Sequence, residues 1–484
     1  MIQNAARLVD NLRSLPDETE YVEFKHNFSD FEKEGQDISA LANSAAYHGA
    51  TAAYKIWGID DKTHDVLGTS FKPRSKKKGN QGLEIWLRQH LSDNANFEFD
   101  EVDCDGKGLV ILKIWPAAYS PVRFDNIAYI RTDSSTHKLK EGSTRESDLW
   151  ARIQHRSFEK QAAMEDLSLE EAFDRLEREA YFDLKDIPRP TSLEAAFHYF
   201  EQDGLLASQD DGLVTITNLG ALLFAKDMMS FPTVKRKKLR VARYDGKGRT
   251  ANRSEREFPA GYAISLPLAY GYLEGLLETG DVIEGVQRKP TRTYAPVVIR
   301  EAVVNALIHQ DFTITGSGPA IEVFDDRIEV SNPGVPLVEV ERIVNDSPRS
   351  RNEDLSAIMR IFHFCEEAGS GWDKIIAGCE EFRSPAPRID TRSGESMRVT
   401  IFQPKEYRML TPEERLKACY WHACVLYESN EYVTNGSLRE RFGLESTKAA
   451  QVSRLIKDAV ESNLIKPVDP KTSPKYMQYQ PGWA

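Results

Sequence analysis

A carboxylate and a carboxamide stand four residues apart, at Glu301 and Asn305, in the run RTYAPVVIREAVVNALIHQDF. Val298, Ile299, Val303, Ala306 and Leu307 recur there at helical spacing, so the segment is read as a packed helix. Residues four apart share one helix face. Two polar groups aimed together into a core are costly unless something meets them. The pair therefore predicts a helix that lines a ligand cavity. Downstream come a strand-like stretch, IEVFDDRIEVSNPG, and a loop in which Gly369 and Gly371 flank Ser370 ahead of a helix from Trp372. Backbone N–H groups at such a helix start hold phosphate oxygens. Asn305 offers Mg²⁺ a neutral oxygen, and Glu301 is a candidate to orient and deprotonate water.

The chain of 484 residues has room for about three or four domains. It is 40% hydrophobic, enough to build full cores, which excludes wholesale disorder. A net charge of -12 argues against a surface coated in nucleic acid but allows a local basic face. The five cysteines form no CxxC pair, and the odd count suggests no disulfide framework, so reduced cytoplasmic thiols are expected. Cys419, His422 and Cys424 lie close together, but within an amphipathic helical stretch, and are read as packing residues. There is no apolar signal core and no apolar run of about 18 residues, so a soluble protein without a membrane partner is expected. A helicase motor needs a P-loop, GxxxxGK[ST], and none occurs.

The organisation reads as a multi-domain α+β chain. Residues 1–150 alternate helix and strand patterns, with a helix from about Gly35 to His48, a strand AAYKIWGI and a second helix over about 80–91. Residues 151–190 form a charged helical linker that breaks at Pro188 and Pro190. Residues 191–290 make a connecting module and residues 291–405 a ligand-binding unit. Residues 411–484 start on Thr411-Pro412, a helix-start signal, and read as three helices with a two-stranded tail: a winged helix. On its third helix Lys448, Gln451 and Arg454, with Lys457, recur every three residues and could face a major groove.

In the N-terminal unit the segment DETEYVEFKHN carries Glu18, Glu20, Glu23 and Lys25, and IWGIDD ends on Asp60 and Asp61. The run FKPRSKKKGN, with Lys76, Lys77 and Lys78, is the strongest local basic patch, and Arg131 is a candidate to extend it. The competing reading of the run is a solvated loop.

Two resemblances follow from these motifs. Glu301-Ala-Val-Val-Asn305-Ala306, His309-Gln310-Asp311-Phe312, Asn332-Pro333-Gly334, Arg351-Asn352 and Glu367-Ala368-Gly369-Ser370-Gly371 resemble, in order, the motifs of GHKL (HATPase) proteins. The likeness is to the branch described as ATP-dependent DNA helicase-related or as transcriptional regulators. With Thr217-Asn-Leu-Gly220-Ala-Leu-Leu-Phe224-Ala ahead of them, it covers about residues 190–400. It implies a Bergerat-type ATP-binding α/β sandwich with ATP and Mg²⁺ as ligands. Asn305 would hold the metal, Glu301 would act on water, and Asn332, Gly334, Gly369, Ser370 and Gly371 would hold nucleotide. Asn332 stands where that family carries an adenine-reading aspartate, which weakens the contact, and Gln310 replaces its common arginine. Binding is thus better supported than turnover. Homo-oligomerisation is a further implication.

The second resemblance is to the Schlafen AlbA-like domain, over residues 10–145. It rests on Glu18 to Lys25, on Ala40-Leu-Ala42-Asn43 through Gly49, on Ile59-Asp60-Asp61 and on Tyr129-Ile130-Arg131. It implies nucleic-acid association. Some members of that family are RNA nucleases, which makes Glu18 and Glu23, with Asp60 or Asp61, candidates to bind Mg²⁺ or Mn²⁺ and cleave a phosphodiester, Lys25 balancing charge. Three readings follow: an ATP-binding nucleic-acid regulator, such as a transcriptional regulator; an ATP-gated metal-dependent nuclease, with phage defence as one setting; and a protein whose end domains dock other proteins.

Overall fold

The computed structural model describes residues 5–14, 19–104, 106–118, 120–154, 157–209, 212–250, 252–284, 287–347, 349–365, 371–391 and 394–484; for residues 154 and 278–292 only the backbone is described. It is a mixed α+β chain of two compact units, residues 1–172 with 206–216, and residues 173–205 with 217–484.

The first unit is built on a four-stranded sheet. Val22–Lys25 pairs parallel with Ala53–Trp57, which pairs antiparallel with Lys107–Ile114, and Phe97–Cys104 lies on the edge. Alternation along the strands divides two cores. Ala53, Trp57, Val110 and Leu112 pack under the helix Phe31–His48. Tyr54, Ile56, Leu109 and Ile111 face the other way, onto Leu8, Val9 and Leu12 of the helix Ala5–Arg13. The Phe31–His48 helix begins one turn before the expected Gly35, because Asp30 caps it by accepting from Lys33 N at 2.7 Å. It ends on Gly49, whose φ of 73° suits a residue without a Cβ.

Asn43, fully buried on that helix, explains the Ala-Leu-Ala-Asn motif. Its Nδ2 donates to Val122 O and Tyr129 O, each at 2.8 Å, and its Oδ1 accepts from Val122 N at 2.8 Å. Ser39 and Ser44 tie the same stretch, through Val122 O and Arg131 N. The helix thus clasps the strand Ile127–Thr132 by side chains rather than by a sheet ladder. Asn43→Ala strands Tyr129 O and Val122 N, leaving Val122 O only its bond from Ser39 Oγ, and is expected to lower local stability by about 2–3 kcal/mol. Hydrogen exchange of the Ile127–Thr132 amides measures this, and protection unchanged from wild type would disprove the clasp.

The second unit holds a six-stranded sheet in the order Arg253–Phe258, Leu239–Tyr244, Ala320–Val323, Arg327–Pro333, Ser396–Phe402, Arg388–Asp390. Only Leu239–Tyr244 with Ala320–Val323 is parallel. The helices Tyr262–Leu277 and Pro296–Ile308 pack on it, and Gly371–Glu381 packs on Pro296–Ile308. At the C-terminal end come the helices Pro412–Glu428, Asn435–Arg441 and Ala449–Glu461 and the paired strands Ile465–Pro467 and Tyr479–Pro481. No helix of the described residues is long and apolar enough to cross a membrane.

Candidate functional site

Proline at the first turn sets the start of the Pro296–Ile308 helix, where its lack of an N–H costs nothing because a first-turn N–H has no intrahelical acceptor. Its apolar residues Val298, Val303 and Leu307 are buried as the periodicity requires. Glu301 is only 5% exposed, yet it lines a cavity of about 270 Å³, as does Asn305. That volume lies near the lower end for small-molecule sites, roughly 300–1,000 Å³. Glu301 Oε1 accepts from Arg300 Nη2 at 2.8 Å.

The Gly371–Glu381 helix closes the opposite wall. A Cβ on Gly371 would stand 3.3 Å from Glu301 Oε2 and 3.4 Å from Asn305 Nδ2. Further along, a Cβ on Gly378 would meet Val298 Cγ2 at 2.5 Å, so glycine there lets the two helices approach. The positive end of the second helix is therefore held against the Glu301 and Asn305 side chains. Asn332 lines the cavity from the strand Arg327–Pro333, its Nδ2 donating to Pro333 O at 3.0 Å. Gly334 does not line the cavity. It has a φ of +92°, and a Cβ there would strike Asp311 Cβ at 2.7 Å, so its role is to turn the chain under the site. Gly369 and Ser370 lie outside the described residues.

The charge of this cavity is not legible in the motifs. Arg349, Arg351, Arg360 and Lys374 line it against the acidic Glu301 and Asp346. Only Arg351 stood in a quoted motif; Arg349 lies two residues before it, and Arg360 and Lys374 come from the two helices that follow. Burial, and then Arg351, push His309 below its ordinary value, so it enters the wall as a neutral ring. Asn352 has a separate role. Its Nδ2 donates to Ile308 O at 2.7 Å and Gln310 O at 2.8 Å, satisfying carbonyls at the end of the Glu301 helix. Gln310, fully buried, donates to Tyr262 Oη at 2.9 Å and Leu307 O at 3.0 Å, which makes it a packing residue.

In the first unit Glu18 lies outside the described residues. Glu23 is buried and ion-paired: Arg131 Nη1 donates to its Oε2 at 2.7 Å, and Lys25 Nζ stands 3.2 Å from its Oε1. Arg131, read as an extension of the basic patch, is fully buried on this pair rather than exposed at the surface. Asp60 Oδ1 accepts from Lys62 N at 3.0 Å and Thr63 N at 2.9 Å, closing its own turn. The Thr63 and Lys62 amides hold its carboxyl below the ordinary range. Asp61 is exposed. Among the described residues no group of three His, Cys, Asp or Glu side chains could hold a metal ion.

Lys76, Lys77 and Lys78 are exposed. Two of them lie over aromatic rings, Lys76 at 5.1 Å from the Phe28 centroid and Lys78 at 4.4 Å from that of Trp86, and Lys78 also pairs with Glu32. On the Ala449–Glu461 helix Val452, Leu455, Ile456 and Ala459 are buried, while Gln451, Arg454 and Lys457 are exposed, as is Lys448 just before it. The four polar residues thus stay clear of the packed side. His422 Nδ1 lies 2.9 Å from Glu380 Oε2, and Cys419 and Cys424 are buried free thiols.

Residues 18–140 match the family model described as "Schlafen, AlbA_2". Residues 316–401 match the one described as "Putative ATP-dependent DNA helicase recG C-terminal", a model of the HATPase type. The chain thus carries a Schlafen AlbA segment followed by an HATPase-type segment, the order its motifs suggest. No curated protein matches the chain significantly. Among solved structures, the DIP2311 protein from Corynebacterium diphtheriae is 16% identical, over 99% of this chain and 98% of that one, with a TM-score of 0.43.

Proposed function

We propose that the protein binds ATP in the cavity beneath the Pro296–Ile308 helix and uses that binding to regulate its association with nucleic acid. The observation that carries the reading is the convergence of Glu301, Asn305, Asn332 and the start of the Gly371–Glu381 helix on one cavity, whose other charged residues are mostly cations. Polar side chains that line one void, Glu301 and Asn332 from buried positions, fit a polar ligand. The cations Arg349, Arg351, Arg360 and Lys374 suit a polyphosphate. Asn332, which lines the same cavity, would accept from an adenine amino group. Glu301 and Asn305 form a donor set that fits Mg²⁺ accompanying the nucleotide, a hard cation that keeps several of its waters. Glu301 is also the group that would take a proton from water if ATP turns over.

The fold is read as a helical linker at 151–190 and a connecting module at 191–290, followed by a GHKL-type sandwich over 291–405 and a winged helix over 411–484. Nucleic acid would be held at two places, the lysine loop near Lys76–Lys78 and the Lys448–Lys457 face, in a regulator of transcriptional type. Binding is favoured over cleavage in the AlbA-like unit because Glu23 is tied to Arg131 and Asp60 to its own turn. Cleavage of labelled RNA or DNA in Mn²⁺, lost in Glu23→Gln, would replace this reading with a nuclease. Gel shifts that stay negative at low salt would favour protein docking instead.

The Arg454 contact is tested separately. Arg454→Ala is expected to weaken duplex binding by about tenfold and to reduce the slope of log K against log salt by about 1 if it meets a phosphate. Fluorescence anisotropy across a salt series reads both quantities. Affinity and slope equal to wild type would remove this face from the interface.

A further inference from the structure

The cavity and the C-terminal helices share their walls. Residues 336–347 form one side of the cavity, through Pro336, Leu337, Val338, Ile343, Asp346 and Ser347. This stretch is fastened from outside. Tyr420, buried on the Pro412–Glu428 helix, donates from Oη to Glu341 O, and Trp483 Nε1 donates to Tyr420 Oη at 3.2 Å. The Arg342 guanidinium lies 4.7 Å from the Trp483 ring centroid. Val344 is buried in the same core as Tyr420, Trp421 and Cys424.

The opposite wall is fastened too. The Gly371–Glu381 helix begins beside Glu301 and Asn305 and carries Glu380 in its last turn. Glu380 lies 2.9 Å from His422 Nδ1 and 3.2 Å from Arg441 Nε, and Arg441 Nη2 donates to Ser384 O at 2.7 Å. Ile343 and Trp372 belong to both environments: each lines the cavity and packs against the C-terminal core. A rigid helix transmits displacement along its length, and a packed core resists continuous deformation.

We propose that Tyr420 and Trp483 are positioning residues for the nucleotide cavity, so that ATP occupancy and the packing of the C-terminal helices are thermodynamically linked. This rests on the ATP reading given above. A ligand shifts such an equilibrium only through its different affinity for the two arrangements, and the coupling is reciprocal. Whatever engages the C-terminal helices would then change ATP affinity by the same factor that ATP changes theirs.

The test uses the full chain, with Tyr420→Phe, which removes only the hydroxyl, and Trp483→Phe, which keeps an aromatic ring beside Arg342 but removes the N–H. Calorimetric titration with Mg-ATP is expected to show affinity weakened about fivefold to tenfold in the double variant. In wild type, ATP is expected to raise hydrogen-exchange protection at residues 340–342 and 479–481, and in the double variant only around the Pro296–Ile308 helix. A purely structural role would lower the melting temperature of the variants and leave the ATP affinity and the pattern of ATP-induced protection as in wild type; that result overturns the linkage. Absence of ATP binding in wild type would instead remove the nucleotide reading, and the linkage with it.

Discussion

Lys55→Met is expected to destabilise the N-terminal unit by about 3–5 kcal/mol, the usual cost of stripping one partner from a buried ion cluster. Lys55 sits mid-strand and is almost wholly buried. Its Nζ donates to Glu34 Oε2 and Asp37 Oδ2, both at 2.7 Å, and both carboxylates are fully buried on the Phe31–His48 helix. Thr136 Oγ1 donates to Asp37 at 2.8 Å, and Lys33 pairs with Asp37 from the rim. Removing the ammonium leaves two carboxylates facing each other in a core. Changing all three, with Glu34→Gln and Asp37→Asn beside Lys55→Met, should recover much of the loss, because the uncompensated charge is gone. Thermal unfolding of the two variants compares them. A Lys55→Met variant as stable as wild type would mean the cluster does not hold the helix to the sheet.

The same cluster gives the unit a pH dependence of known sign. Burial pushes the Glu34 carboxyl up from 4.5 to about 7, Lys55 opposing and Asp37 and Glu23 adding to the rise. Between those pH values the folded chain keeps a proton that the unfolded chain has released. The Glu34 contribution is therefore full below about 4.5 and lost as pH rises through about 7. The stability difference between wild type and Glu34→Gln should narrow over that window by at most about 3 kcal/mol.

Asn305→Ala is expected to lose Mg-ATP binding by at least ~100-fold, about 2.7 kcal/mol, while the chain stays folded. The loss has two sources: a neutral oxygen that would serve the cation, and the carboxamide that meets the start of the Gly371–Glu381 helix. A Cβ on Gly371 would already contact Asn305 at 3.4 Å, so the alanine leaves a gap there without forcing a clash. Far-ultraviolet circular dichroism checks the fold and calorimetry the affinity. Nucleotide affinity unchanged in this variant would move the site elsewhere.

The parts of the fold that were legible in sequence are those governed by local rules. Pro296 and the apolar spacing after it define the Glu301 helix. Thr411 and Glu414 form a reciprocal capping box, Thr411 Oγ1 accepting from Glu414 N at 3.1 Å and Glu414 Oε2 from Thr411 N at 2.9 Å. What was hidden depends on contacts distant in sequence. Nothing in AYKIW marks Lys55 as buried; that follows only once the helix carrying Glu34 and Asp37 is laid over it. Arg131 reads as a surface cation until its strand is clasped by Asn43 and its head reaches Glu23, 108 residues away. The cationic lining of the cavity draws Arg349, Arg360 and Lys374 from separate segments, and no spacing rule joins them.

The most direct test of the central claim is a crystal structure of the full chain with Mg²⁺ and a non-hydrolysable ATP analogue. The nucleotide is expected in the cavity of Glu301 and Asn305, its adenine at Asn332 and its phosphates toward Gly371 and the cations Arg349, Arg351, Arg360 and Lys374. A cavity that stays empty at saturating analogue, or an analogue bound away from Asn305, would contradict it.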